Sequence, residues 1–299
     1  MRSHRTIARR VLLLLLVLGI TAGSAAARTE SAAQSKVPRL VFPVVGPVTY
    51  TDDFGDARGS SRHQGNDLIA PKRSLAVAAE AGKVKFWTSS ARAGCMLYLY
   101  GNSGTTYLYI HLNNDLTLKN DNRGTRCDMA FAPGLKSGQK VAAGEWIAYV
   151  GDSGDADGGA SHLHFEVHPN GGAAVSPFPF LRTARKLLYS ARSGTNVQLS
   201  LTGKLVGVVD GRLQMTVSSL RVAPKGPTIL KVNRTIELVL LPTAVVERLD
   251  GTRLALGRLA KLVPATPIVV TTSPSGTTIG EMTATPGSLF GERVVLKQT

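Results

Sequence analysis

Residues 95–112 read "CMLYLYGNSGTTYLYIHL". Tyr98, Tyr100, Tyr107 and Tyr109 stand at every second position on either side of a Gly-Asn-Ser-Gly turn. Alternation with period two over two runs joined by a short Gly-rich turn is the signature of a β-hairpin. A hairpin of this kind has one apolar face that other strands must cover. The chain around it supplies such pieces: "LVFPVVG", "SLAVAAEAGKVKFW", "QKVAAGEWIAYVG" and "SHLHFEVH" are short, rich in β-branched and aromatic residues, and bounded by Gly, Pro, Asn or Asp. The expected fold is therefore all-β and mostly antiparallel. A short helix is expected only around "LRTARKLLY", residues 181–189.

A chain of 299 residues is long enough for two domains. The composition changes near residue 195: residues 196–299 contain a single aromatic, Phe290, and neither His nor Cys. Two strand pairs are expected there, across Asp210-Gly211 and Asp250-Gly251, with further strands in "TPIVVTTSP" and "RVVLKQT". These make residues 195–299 a small β-barrel-like domain, of the oligonucleotide/oligosaccharide-binding kind, with no role assigned by its residues. At the other end, "MRSHRTIARR" is a basic segment, "VLLLLLVLGI" an apolar run of ten and "TAGSAAA" a small-residue stretch. That order is a secretory signal peptide, residues 1–27, and the apolar run is too short for a typical membrane span. The mature chain then has no transmembrane segment. Residues 28–39 read as a disordered lead-in, and residues 40–194 as the first domain.

Removing residues 1–27 lowers the net charge from +15 to +11, and residues 195–299 hold 12 basic and 6 acidic groups. This surface suits anionic partners, such as cell-wall polymer, acidic lipid or nucleic acid. Single-strand nucleic-acid binders stack bases on aromatic rings, and with Phe290 alone the second domain is not read as one. The two cysteines of an exported chain, Cys95 and Cys127, are expected to form one disulfide. It would pin the polar insert that contains Cys127 to the hairpin, and would stabilise by roughly 3–4 kcal/mol on the chain-entropy account.

The histidines carry the chemistry. In "SHLHFEVHPNG", His162, His164, Glu166 and His168 share one parity and thus one face of an extended strand. His63 lies in "RHQGNDLIAP" four residues before Asp67, and His111 lies in "YLYIHLNN". A His, a carboxylate and a second His form a standard ligand set for catalytic zinc, with a fourth position open to water. Five polar residues of these types are hard to account for as scattered strand residues.

The segments "RHQGNDLIAP", "AEAGKVKF", "YLYIHL", "KVAAGEWIAYVGDSG" and "SHLHFEV", taken in this order over roughly residues 42–178, resemble the M23 peptidases, the LytM/lysostaphin-type zinc endopeptidases. The resemblance implies a β-sheet groove domain that binds one Zn²⁺ through His63, Asp67 and His164. It implies catalytic roles for His111 and His162 beside the metal, acting on the attacking water and on the oxyanion. It gives His168 no role, which leaves it an exposed strand-end residue, and it makes Glu166 a supporting carboxylate rather than a ligand. Tyr109 is expected to pack. The implied function is an exported (periplasmic, wall-associated or extracellular) endopeptidase that hydrolyses peptide bonds in peptidoglycan cross-links or stem peptides. The alternative is a non-catalytic peptidoglycan-binding or envelope regulatory protein using the same groove. The sequence departs from the family pattern in the longer turn "DADGGAS" before His162, in the Cys127 insert and in "APKRS"; none of these touches an implied ligand.

Overall fold

A computed structural model describes residues 37–124, 127–223, 228–275, 279–281 and 289–297. The expected signal peptide and most of the lead-in lie outside these residues. Val37 is already buried, and the Arg39 side chain donates to the Thr183 carbonyl, so the packed chain begins ahead of Leu40.

The first half is built from short strands: β1 (Val44–Val45), β2 (Ala57–Arg58), β3 (Ser61–Arg62), β4 (Asn66–Ile69), β5 (Leu75–Val77), β6 (Gly82–Ser90), β7 (Gly94–Gly101), β8 (Thr106–Leu112), β9 (Lys140–Val141), β10 (Trp146–Tyr149) and β11 (His162–His168). Six of them form an antiparallel sheet in the order β4-β11-β8-β7-β6-β9. The expected hairpin is β7–β8, with Tyr98 opposite Leu108 and Tyr100 opposite Thr106. The sheet has one dry face. Val84, Leu97, Leu99, Tyr107, Tyr109, Leu163, Phe165 and Val167 all point into the core and are fully buried. Tyr109 packs edge-on to Phe165, and its hydroxyl donates to the Val77 carbonyl and accepts from the Ala79 amide. A three-stranded sheet, β1-β5-β10, contributes Leu75, Val77 and Ile147 to the same cluster. The other face of the six-stranded sheet is open and carries the polar side chains.

The insert between β8 and β9 is tied down twice. Cys95 and Cys127 are disulfide-bonded with Cα atoms 5.5 Å apart. Half-buried Lys72 bridges the buried carboxylates of Asp115, at 2.5 Å, and Asp152, at 2.8 Å, and Asp115 also accepts from the Asp121 and Asn122 amides.

The helix expected over 181–189 is corrected. The helix α1 is Phe178–Thr183, and the chain then runs as strand β12 (Leu187–Ser190). Leu187, Leu188 and Tyr189 are buried and consecutive, which a strand between two packed layers accommodates. β12 pairs with β18 (Ile279–Glu281) and leads into the second half. There β13 (Gln198–Val209), β14 (Arg212–Ala223), β15 (Thr228–Arg248), β17 (Pro267–Thr272) and β19 (Phe290–Leu296) close into a five-stranded barrel in the order β13-β14-β15-β19-β17, with β17 returning to β13. Only β15–β19 is parallel. Alternating Leu199, Leu201, Leu205, Leu213, Met215, Val217, Ile268, Val270 and Val294 fill its interior. Asp210-Gly211 makes the tight turn between β13 and β14, both residues at positive φ. Asp250-Gly251 joins β15 to the short β16 (Arg253–Leu254). The two halves share one buried cluster, and Arg192 pairs with buried Glu145 at 2.5 Å across their junction.

Candidate metal centre

The open face of the sheet brings the histidines together through strand register. His164 on β11 lies directly opposite Asp67 on β4 and, on its other side, opposite Ile110 on β8. His63 enters from the turn before β4. That turn must come close to β11: a Cβ on Gly65 would sit 2.5 Å from the Phe165 carbonyl oxygen and 2.8 Å from His164 Nε2. Only glycine permits this approach.

His63 Nε2 and His164 Nδ1 are 2.9 Å apart, and each is 3.1 Å from Asp67 Oδ1. The remaining ring nitrogens are committed elsewhere. His63 Nδ1 donates to the Asp53 carbonyl at 2.8 Å, and His164 Nε2 donates to Glu166 Oε1 at 3.0 Å. Each imidazole thus has its other nitrogen directed to the shared point, and losing the proton there would give the tautomer a metal needs. The fit is close in distance too. Zinc–ligand bonds of about 2.0–2.1 Å in a tetrahedron hold their ligand atoms about 3.3 Å apart, so a few tenths of an ångström of opening would admit the ion. Among the described residues this trio can hold a metal ion.

His111 and His162 flank it, with ring centroids 5.0 Å apart. Their Nδ1 atoms donate to the carbonyls of Ser153 and Ala160, each at 2.8 Å, and both Nε2 atoms are left facing the groove. His111 reaches this position by an unusual route. Strand alternation would send it inward beside Tyr107 and Tyr109, but its φ is +59°. The left-handed backbone, at a cost on the order of 1–2 kcal/mol, turns the imidazole out to the side of Ile110. The groove has a volume of about 660 Å³ and includes His63, Asp67, His111, His162, His164 and Glu166 among its walls.

The site's electrostatics are strongly coupled. Burial opposes ionisation of Asp67, but hydrogen bonds from His164 and His63, with His162 nearby, outweigh it and hold the carboxyl well below its ordinary range. Arg58 also reaches Asp67 Oδ2 at 2.7 Å. Burial works against protonation of His164, yet Asp67 and Glu166 push its pKa up to about 9. Burial lowers that of His111 to about 4 against the pull of the Ser153 carbonyl. Burial opposes ionisation of Glu166, but His164 and His168 lower it to about 2.

The expectation for His168 is corrected. It is not a free strand end: Nε2 lies 2.6 Å from Glu166 Oε2 and Nδ1 2.8 Å from the Gly172 carbonyl, so it braces the carboxylate that orients His164. Sequence reasoning missed Asp53, Ser153 and Arg58. Two of them act through backbone carbonyls, which leave no residue-type signal. Arg58 sits on the β2–β3 hairpin, nine residues from Asp67, which it touches.

Residues 61–177 match the model of peptidase family M23. The chain is 26% identical over 162 residues to the L-Ala–D-Glu endopeptidase of Bacillus subtilis (strain 168), a match covering 50% of this chain and 45% of that protein. It thus spans less than half the length of that curated relative. The catalytic domain of the antimicrobial peptidase lysostaphin from Staphylococcus simulans is 24% identical, with 45% of this chain and 92% of that one covered and a TM-score of 0.35. A putative glycyl-glycine endopeptidase LytM from Ruminococcus gnavus ATCC 29149 is 23% identical, with 48% and 59% covered and a TM-score of 0.38.

Proposed function

We propose that this chain is an exported zinc endopeptidase that hydrolyses peptide bonds in peptidoglycan cross-links or stem peptides. The observation that carries the reading is the convergence of His63 Nε2, His164 Nδ1 and Asp67 Oδ1 on one point of a groove whose walls also hold His111 and His162. Export is supported by the disulfide, a bond that persists in oxidising compartments. Among the described residues no helix is long and apolar enough to cross a membrane.

His63, Asp67 and His164 would hold the zinc, which supplies Lewis acidity toward water and the scissile carbonyl. Glu166 and the Asp53 carbonyl fix the two imidazoles in the ligating tautomer. Carbonyl oxygens occupy the Nδ1–H groups of His111 and His162, which leaves Nε2 as the proton-accepting nitrogen of each, 3.7 Å from Asp155 Oδ1 and Asp67 Oδ1 respectively. Either can accept a proton from the attacking water through Nε2. Once protonated it donates from that atom to the developing oxyanion or to the departing amine. Arg58, Arg62 and Arg92 rim the groove and would attract the carboxylates that wall peptides carry.

The test uses residues 28–299 on purified peptidoglycan, counting newly released amino groups with and without a zinc chelator and with His162→Ala. Release that needs both zinc and His162 is expected, and fragment masses name the bond. Zinc retained at full stoichiometry in His164→Ala would overturn the ligand set. A groove that binds peptidoglycan but releases no amino groups with zinc bound would favour the non-catalytic alternative.

A further inference from the structure

The open face of β6 and β7 carries aromatic rings that neither the metal site nor the core uses. Val84, Leu97 and Leu99 point inward from these strands, while Lys85, Trp87, Tyr98 and Tyr100 point outward. Tyr98 and Tyr100 stack with centroids 6.1 Å apart and planes 12° from parallel, and Trp87 meets Tyr98 edge-on, with centroids 6.4 Å apart and planes 73° from parallel. Lys85 Nζ lies 5.8 Å from the Trp87 ring centre. Trp87 is 43% exposed and Tyr100 42%. Contiguous exposed aromatic surface of this kind marks a contact site.

The strip is continuous with the groove. Register places Glu166, Leu108, Tyr98 and Lys85 in one row across the sheet, and His168, Thr106, Tyr100 and Lys83 in the next. Ile110 and Glu166, at the near end, belong to the groove wall. With neighbouring strands about 4.8 Å apart, Tyr98 stands two strands, about 10 Å, from Glu166. A substrate that extends from the metal centre along these rows must cross the rings.

We propose that Trp87, Tyr98 and Tyr100 form a saccharide subsite that holds the glycan of peptidoglycan while its stem peptide lies over the metal centre. The inference rests on the endopeptidase reading above. Pyranose rings present flat C–H faces that stack on aromatic faces, and exposed Trp87 and Tyr100, either side of Tyr98, offer two separate rings to successive sugars of one strand. Lys83, Lys85 and the tyrosine hydroxyls are left to meet its hydroxyl, amide and carboxylate groups. Nucleic-acid bases also stack on such rings, but only a glycan is covalently joined to the peptide that the groove would hold.

The chain has two tryptophans, Trp87 and the buried Trp146, so quenching of emission reports chiefly on Trp87. Peptide-free glycan strands titrated into residues 28–299 should quench it saturably, and Tyr100→Ala should weaken binding roughly three- to tenfold, the range of aromatic contact energies. In kinetics, Trp87→Ala should raise KM for intact peptidoglycan by a similar factor, with kcat and the rate on a sugar-free cross-linked peptide unchanged. A merely structural strip would affect both substrates alike. No quenching by glycan, equal losses on both substrates, or stronger quenching by a single-stranded oligonucleotide would each overturn the proposal. If the wild-type protein cut neither substrate, the endopeptidase reading would fall, and the quenching titration would still decide whether the strip binds glycan.

Discussion

Replacing Gly65 with Ala adds one methyl group and tests the metal centre through its geometry alone. The added Cβ would lie 2.5 Å from the Phe165 carbonyl oxygen and 2.8 Å from His164 Nε2, where ordinary contact begins near 3.4 Å. Relieving both contacts requires the turn before β4 to withdraw from β11 by 0.6 to 0.9 Å, the difference between those distances. The fold can absorb such a shift at the end of a four-residue strand. A metal site cannot, because ligand positions matter to within about 0.2 Å. His63 and Asp67 travel with the turn while His164 stays on β11, so the donor triangle opens on one side. Zinc affinity should fall by about a hundredfold or more, the scale of an ångström of misplacement at a reacting centre, with hydrolysis lost in parallel. Competition against a chromophoric chelator measures the affinity, and circular dichroism with a thermal melt checks the fold. A Gly65→Ala protein that binds zinc as tightly as wild type would refute the reasoning, since the three ligands would then not depend on the approach of β4 to β11.

Glu166→Gln keeps the shape of the buried carboxylate but removes the charge that orients His164; it should weaken zinc binding by about 10- to 100-fold and lower the melting temperature of the metal-free protein, because the ion pairs of Glu166 with His164 and His168 are lost. Reducing the Cys95–Cys127 bond should cost roughly 3–4 kcal/mol, and calorimetry with and without reductant should show a drop in melting temperature of roughly 6–16 °C for a body of this size. The drop should be accompanied by lost activity, because the Cys95 amide and the His111 imidazole both bond to Ser153. For the metal-free protein, His164 is raised to about 9 in the fold from an ordinary value near 6.5. Its contribution to stability is therefore complete below pH 6.5 and disappears as pH rises through 9. The metal-free melting temperature should fall between pH 7 and pH 10. A flat profile over that range would show that Asp67 and Glu166 do not hold the proton on His164.

How far the sequence could be read depended on which property each residue obeyed. His162, His164 and Glu166 follow strand parity, so their shared face was legible from spacing of two. The pairing of His164 with Asp67 was not, because register between β11 and β4 is set by packing across 97 residues. His111 violates parity through its positive φ, and no spacing rule predicts a left-handed residue at a strand end. The short helix expected around 181–189 lies earlier, at Phe178–Thr183, because Leu187, Leu188 and Tyr189 are buried in succession on a strand. The barrel was legible as strands and turns, since alternating leucines and Asp-Gly pairs are local signals. The order of its strands was not, because the parallel pairing of β15 with β19 joins segments with no local signature.

The positions of metal site and aromatic strip have one cause. A sheet with a single dry face must send every second residue of each strand to the open side, and antiparallel register then sorts these residues into rows. One row begins with Asp67 and His164 and continues to Ile110; the next begins with Glu166 and continues through Leu108 and Tyr98 to Lys85. Shifting β11 by a single residue would turn Leu163 and Phe165 toward water and bury three imidazoles with Glu166, an exchange the core cannot tolerate. The burial of Leu163, Phe165 and Val167 therefore fixes His164, a proposed ligand, in place, and with it the distance from the candidate metal centre to Tyr98. Hydrophobic packing on one side of the sheet sets the spacing of the chemistry on the other. Changes to Tyr98, Tyr100 or Trp87 can alter what the open face holds without moving the residues that would bind the metal.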